Sequence, residues 1–173
     1  SRDPWFMGVI LRYGPDGAVY SIDWSDTGEC HSVRNTRKET GRIYKIAYGT
    51  PRVPEGRIDQ LDDLGLVARQ LHRNDWHVRH ARRLLHERAA GGRDLSAARH
   101  ELQRLFAEHP DVSRKLRALW ALHVTGGAGD DFLTTQLEHE NEYVRAWAIQ
   151  LLCEDREPPA PARGRPRPGT RPA

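Results

Sequence analysis

The chain has 173 residues, of which 38% are hydrophobic and 29% charged, and its net charge is +3. This length suits one ordinary domain or two small ones. No apolar run approaches the roughly 20 residues that a membrane-spanning helix needs, so we expect no membrane insertion. The charge is unevenly placed: residues 158–173 contain four arginines and no acid, which leaves −1 on residues 1–157. A domain that binds nucleic acid usually carries an excess of basic residues. The near-neutral charge of residues 1–157, called the body below, therefore argues against such a partner.

Residues 1–49 have the composition of a short antiparallel sheet. An apolar run at residues 9–11 is followed by the turn signal YGPDG and by a strand-like segment at residues 18–24. A third segment with alternating apolar residues occupies residues 41–48. Because three strands cannot bury both of their faces, we expect this sheet to need more strands or a partner, and to pack against the first helices.

Residues 58–154 have a helical period, and they follow a linker at residues 50–57 that contains two prolines. Asp75, Asp111 and Asn141 are the predicted N-caps of three helices, because their short side chains can accept hydrogen bonds from free backbone N–H groups. Pairs of glycines follow two of the helical segments and predict where these helices end.

Related strings recur along this helical region. LHRNDWHVRHARRLL begins at residue 71, LRALWAL at residue 116 and LEHENEYVRAWAIQLL at residue 137. Each contains an apolar residue followed by arginine, at spacings of 38 and 28 residues, which bracket the length of one helical-hairpin repeat. The pattern predicts a HEAT-like array of antiparallel helix pairs. The residues that we expect to be buried in this array are Leu85, Leu119, Trp120, Trp147 and Leu151.

The predicted fold class is α+β and mainly α: a HEAT-like helical array at residues 58–154, preceded by the short antiparallel β segment. The arginines of the recurring pairs, Arg79, Arg117 and Arg145, could line a groove that binds anions. We favour the alternative that they bond to capping residues and helix ends of adjacent repeats. The tryptophans and histidines of these helices are interpreted as packing or surface residues, since no complete metal motif accompanies them.

One loop carries a cluster of residue types that bind metals. Asp23, Asp26, Glu29 and His31 are spaced three, three and two residues apart after the second predicted strand. Their carboxylates could hold Ca²⁺, whereas the histidine would favour a transition metal. The alternative is a structural loop, because the spacing matches no defined calcium loop such as the EF-hand.

Residues 155–173 are rich in proline and arginine, and we expect them to be disordered. Arg163, Gly164, Arg165 and Pro166 resemble the core of an AT-hook, in which arginines enter the narrow minor groove of A·T-rich DNA. A solvated basic tail is the alternative interpretation of these four residues.

Four strings resemble one known arrangement of domains. They are GPDGAVYSIDWSDTGECH at residues 14–31, GRIYKIAYG at residues 41–49, NDWHVRHARRLL at residues 74–85 and ALWALHVTGG at residues 118–127. The resemblance is to the PVC-type haem-binding CxxCH proteins, a membrane-bound dehydrogenase family. In that family a β-propeller leads into HEAT-like repeats and a cytochrome c module. The resemblance implies that residues 1–49 are the end of a propeller and that the haem module is absent. Residues 27–31 read TGECH in place of CxxCH, so we expect no haem in this chain.

Two functions remain open from the sequence. The first is a structural and interaction module, a fragment of a propeller–HEAT–cytochrome c redox protein, whose partners are missing propeller blades, the haem module or other proteins. The alternative is a DNA-associated helical-repeat protein with an AT-hook-like tail, and the near-neutral body favours the first. We assign no catalytic residue, because the sequence shows no nucleophile–base pair and no phosphate-binding loop. The resemblance implies a periplasmic or other extracytoplasmic location.

Overall fold

The computed structural model describes residues 6–24, 41–50 and 56–154. This part of the chain is mainly helical with one small sheet, as predicted. The strands are β1 (Met7–Tyr13), β2 (Val19–Trp24) and β3 (Ile43–Ile46). The α-helices are α1 (Asp63–Ala68), α2 (Asp75–Ala90), α3 (Ser96–Glu108), α4 (Val112–Val124), α5 (Asp130–Thr135) and α6 (Glu142–Cys153). Short 3₁₀ turns lie at Ile58–Gln60, Arg69–Leu71 and Gln136–Glu138. None of these helices is both long and apolar enough to cross a membrane.

The three strands form one antiparallel sheet in the order β1-β2-β3. The turn between β1 and β2 lies where the sequence predicts it, and Gly17 there has a φ of +79°, which glycine adopts without steric cost. Asp16 fixes this turn, because its carboxylate accepts hydrogen bonds from the Ala18 N–H and the Tyr20 hydroxyl, both at 3.1 Å. Lys45 of β3 bonds to the same carboxylate and holds the pKa of Asp16 below its ordinary value.

The helices pack as successive pairs. α1 packs on α2, α3 on α4 and α5 on α6, and the second members α2, α4 and α6 are neighbours in that order. α1 also contacts α3. Burial of apolar side chains between these helices is the main source of their stability. The largest of the fully buried side chains in the helical region are seven leucines: Leu66, Leu85, Leu95, Leu102, Leu119, Leu122 and Leu133.

The predicted core residues differ in how deeply they lie. Leu85 and Leu119 are fully buried, as predicted. Trp120, Trp147 and Leu151 are only half-buried and pack against the edge of the core. Their side chains are therefore less buried than predicted. The two indole rings contact each other edge-to-face at 4.8 Å. In residues 56–154 the helices that pack on α6 are α4 and α5, which leaves one side of α6 uncovered.

Four helices begin with an asparagine or aspartate cap. At α1, the Asp62 side chain accepts a hydrogen bond from the backbone N–H of Gly65, three residues later. The side chains of Asn74, Asp111 and Asn141 each accept a hydrogen bond from the backbone N–H two residues later. The predicted cap at Asp75 is therefore wrong by one residue, while the other two predicted caps are confirmed. Asp75 lies in the first turn of α2, where a carboxylate is favoured by the positive end of the helix dipole.

The sheet meets the helices at the turn between β1 and β2. Nδ2 of Asn74 donates to the carbonyl oxygens of Gly14 at 2.8 Å and Pro15 at 3.3 Å. Nε2 of His77 lies 3.0 Å from the same oxygen of Pro15. The sheet therefore contacts the first long helix, as expected, but through polar groups at the end of a hairpin.

Candidate functional site

A surface cleft of about 380 Å³ opens where β1 meets α2. Its lining combines cationic and aromatic side chains from both elements. These are Arg12 and Tyr13 of β1 together with Trp76, Arg79, His80 and Arg83 of α2. The four α2 residues recur three or four positions apart, so they lie on one face of the helix. No carboxylate is among these lining residues.

Arg79 joins the two walls of the cleft. Its Nη2 donates to the Tyr13 hydroxyl at 2.8 Å, and its guanidinium carbon lies 5.3 Å from the centre of the Tyr13 ring. Its Nε lies 3.2 Å from Oδ2 of Asp75, and the Tyr13 hydroxyl donates to that oxygen at 3.2 Å as well. This closed set of contacts holds residues of β1 and α2 that are more than 60 positions apart in the sequence.

The aromatic wall of the cleft is a stacked pair of rings. The rings of Trp76 and His80 lie 3.8 Å apart between centres, with 19° between their planes. Nδ1 of His80 lies 2.7 Å from the backbone oxygen of Trp76, which fixes the imidazole one helical turn above the indole. The stacked pair therefore presents a flat aromatic surface beside the cationic side chains.

The other two arginines of the cleft have few competing contacts. Arg83 is 62% exposed and pairs with Glu87, one turn further along the same helix, at 3.4 Å. Arg12 pairs with β2 through its backbone, whereas its exposed side chain makes no hydrogen bond or ion pair with another described residue. Exposed pairs of this kind contribute little to stability, so these guanidinium groups can turn toward a ligand at small cost.

Arg82 lies next to this cleft on α2 and is half-buried. Its guanidinium carbon lies 5.1 Å from the centre of the Trp120 ring of α4. Burial lowers the pKa of Arg82; the Asp75 carboxylate partly offsets this, and the nearby positive charge of Arg79 lowers it further. Nη1 of Arg82 and Nε1 of Trp120 are both buried without an acceptor among the described residues. Two hydrogen-bond donors therefore lack acceptors between α2 and α4.

Arg117 links neighbouring helix pairs. Its Nη1 donates to the backbone oxygens of His72 at 3.0 Å and Gln70 at 3.4 Å, and its Nη2 lies 3.2 Å from Oδ1 of Asp75. The preferred interpretation of the recurring arginines is thus confirmed for Arg117. Arg145 also bonds to backbone oxygens, but to those directly before its own helix.

Three histidines that the sequence predicts as packing or surface residues occupy equivalent positions before helices. Nδ1 of His72, His109 and His139 each accepts a hydrogen bond from the backbone N–H of the cap residue two positions later, at 3.0 Å in all three cases. The pattern His-x-Asn or His-x-Asp, which recurs before α2, α4 and α6, is the signal that could have identified them.

The structure describes only one of the four predicted metal ligands, Asp23. Asp23 is buried at the end of β2, and its Oδ2 accepts hydrogen bonds from Nε of Arg42 at 3.2 Å and Nη2 at 3.1 Å. These contacts favour the structural interpretation for Asp23. The other three predicted ligands, Asp26, Glu29 and His31, lie outside the described residues. Within the described part, no three metal-ligating side chains come together. The Ca²⁺ site stays a prediction.

The AT-hook-like residues also lie outside the described part of the chain. Arg163, Gly164, Arg165 and Pro166 therefore keep both of their interpretations, the minor-groove motif and the solvated tail.

The sheet leaves apolar side chains exposed on both of its faces. Leu11 is 66% exposed, and its neighbours across the strands, Ser21 and Tyr44, share its face. Ile43 is 75% exposed on the opposite face, beside Ile22. A shallow hollow of about 310 Å³ on the first face is lined by Phe6, Leu11, Ser21, Tyr44 and Ile46.

Comparison of the chain with protein families, with curated proteins and with solved structures gave no match.

Proposed function

We propose that the chain is a structural and interaction module, in which a HEAT-like helical array carries a β-sheet and presents it to a protein partner. The ordered contacts of α2, α4 and α6 support the array, because each helix pair covers the apolar face of the next. The three equivalent histidine-linked caps and the reach of Arg117 into the preceding pair support a repeated unit as well.

The exposed sheet is the observation that carries the proposed interaction. Apolar side chains on both faces of the sheet are exposed to solvent, whereas the leucines between the helices are buried. Burying apolar area is worth about 25 cal/mol per Å², so such a sheet gains stability from any surface that covers it. Among the described residues, β1 and β3 are both edge strands, and they offer backbone groups to a further strand.

The partner in this proposal is the remaining sheet of a β-propeller. The strings at residues 14–31 and 41–49 support it, since they resemble the end of the propeller in the haem-binding CxxCH family. The chain would then belong to a propeller–HEAT–cytochrome c redox protein in an extracytoplasmic compartment. Electron transfer and substrate turnover would take place in the other modules, and this chain would position them.

Self-association of the full chain tests the exposed-sheet argument. Without its partner, the sheet should pair with a second copy, so light scattering should show association that increases with concentration. The double variant Leu11→Ser with Ile43→Ser should shift the protein toward monomer and reduce the binding of a hydrophobic dye. Ile149→Ser is the matched control, because Ile149 is 55% exposed on α6, far from the sheet in sequence.

A chain that stays monomeric at high concentration and binds no hydrophobic dye would contradict the proposal. So would association that Ile149→Ser weakens as much as the double variant does, because the interaction would then not depend on the sheet.

A further inference from the structure

The cleft between β1 and α2 concentrates positive charge on a body that carries little net charge. Arg12, Arg79 and Arg83 line it, and the acids that pair with two of them, Asp75 and Glu87, are not among the lining residues. A guanidinium group offers N–H donors in a planar fork that matches the oxygens of phosphate or carboxylate. The lining therefore favours an oxyanion.

The size and the walls of the cleft favour an oxyanion that is attached to a flat group. Its volume of about 380 Å³ falls within the range of small-molecule pockets and exceeds what an inorganic ion fills. The imidazole of His80 is held by its hydrogen bond to the Trp76 backbone and stacks on the indole, so this aromatic wall is already assembled before a ligand stacks on it. Aromatic surfaces beside arginines are typical of sites that bind nucleobases.

The surroundings of the cleft also favour added negative charge. Arg82 lies close enough to Arg79 for their charges to repel, and its Nη1 is buried without an acceptor among the described residues. Leaving a buried donor of a charged group unsatisfied is costly. A dianion bound near these arginines would reduce their mutual repulsion.

We propose that this cleft binds an organic phosphate that carries a flat aromatic group, with a nucleoside monophosphate as the simplest representative. A phosphate ester carries close to two negative charges at neutral pH and offers three acceptor oxygens. A ligand with a phosphate ester therefore matches the three guanidinium groups of the cleft better than a ligand with a single carboxylate. Arg12 and Arg83 contact the phosphate, Arg79 keeps the walls together, and the base stacks on Trp76. The site is independent of the exposed sheet faces and of the partner proposed for them.

Titration of the full chain with three probes tests this assignment. AMP, inorganic phosphate and adenosine are added separately, and binding is followed by calorimetry and by the indole N–H signals of the protein in NMR spectra. AMP should bind more tightly than inorganic phosphate, and adenosine should bind most weakly. Added salt should weaken the binding of AMP, because the cleft is open to solvent and salt screens its charges.

Two variants locate the site without disturbing the fold. Arg12→Gln and Arg83→Gln should each weaken AMP binding on the order of tenfold, the effect of losing one charge-assisted hydrogen bond. Neither side chain holds the sheet to the helices. The Arg12 side chain bonds to no described residue, and that of Arg83 pairs with Glu87 in its own helix. Arg104→Gln on α3 is the control, since its pairs with Glu101 and Glu108 also lie within one helix, away from the cleft. It should leave AMP binding unchanged.

Three outcomes would overturn the proposal. One is the absence of any AMP-dependent change in the spectra. Another is equal affinity for AMP and inorganic phosphate, because the flat group would then not be recognised. A third is equal weakening by Arg104→Gln and Arg12→Gln, which would show non-specific attraction. A single-stranded oligonucleotide that binds at least tenfold more tightly than AMP would reassign the cleft to nucleic acid and thus also count against it.

Discussion

Replacing Arg117 by methionine tests whether charge-assisted hydrogen bonds join successive helix pairs. Arg117 belongs to α4 and reaches the preceding pair, where it contacts two backbone oxygens and the Asp75 carboxylate. Methionine keeps an unbranched apolar side chain that can still pack, and it removes every donor. The variant Arg117→Met therefore separates these contacts from the packing of the aliphatic part of the side chain.

The expected loss can be estimated from the geometry. The Arg117 side chain is only 16% exposed, so water replaces its donors incompletely. A hydrogen bond from a charged donor contributes about 1.5–3 kcal/mol, but these contacts share one guanidinium group and do not add fully. We expect the free energy of unfolding to fall by about 2–4 kcal/mol, which lowers the melting temperature of a domain of this size by roughly 10–20 °C.

Urea unfolding followed by the helical circular dichroism signal measures this loss. Arg104→Met is the control, because Arg104 is 49% exposed and pairs only with acids of its own helix. Exposed pairs of this kind contribute little, so the control should unfold close to the parent chain. Equal destabilisation by both variants would refute the idea that Arg117 links the pairs, and would leave general surface charge as the cause.

Two further variants address the caps. His109→Ala should cost about 0.5–1 kcal/mol, because Nδ1 of His109 accepts the Asp111 N–H. His100→Ala should cost less, because His100 is exposed on α3, and equal urea midpoints for the two variants would contradict this. Asp111→Asn should make stability less sensitive to acid. Hydrogen bonds from Ser113 hold the pKa of Asp111 below its usual 3.8, so the carboxylate's contribution is complete above that value and is lost as pH falls through the lowered pKa. Asparagine caps two other helices, so this variant should keep the cap and lose less stability than the parent between about pH 6 and about pH 3; an unchanged pH dependence would contradict the assignment.

The fold could be predicted where local chemistry decides it. The turn at Gly17, the caps at Asp111 and Asn141 and the helical region all follow from residue type and spacing. The cap of α2 was placed one residue late, because Asn74 and Asp75 are both good caps and only the backbone geometry distinguishes them. The depth of Trp147 could not be predicted, since periodicity shows which face a residue occupies and not what covers that face.

The sequence indicates Arg79 as a possible anion ligand, but it does not predict the cleft that Arg79 lines. Its cationic side chains come from β1 and α2, and nothing in the spacing of Arg12 and Arg83 indicates that they meet. The net charge of residues 1–157 is only −1, and a net value that nearly cancels does not reveal a local cluster of arginines. The histidine caps are a different case: their pattern was present in the sequence, but it becomes informative only when one cap has been recognised.

The residues that begin α2 also hold the sheet, and this double use explains how the two parts of the chain are coupled. Asn74 caps the helix with its Oδ1 and binds the hairpin with its Nδ2, so one side chain satisfies both elements. Asp75 likewise receives the Tyr13 hydroxyl from the sheet and Arg117 from the next helix pair. Among the described residues, the helical core contains no residue of the strands. The described contacts between the sheet and the helices come from the first turns of α2, from Asn74, Asp75, His77 and Arg79. A partner that pulls on the sheet would therefore act first on the start of α2, where the proposed phosphate cleft also lies.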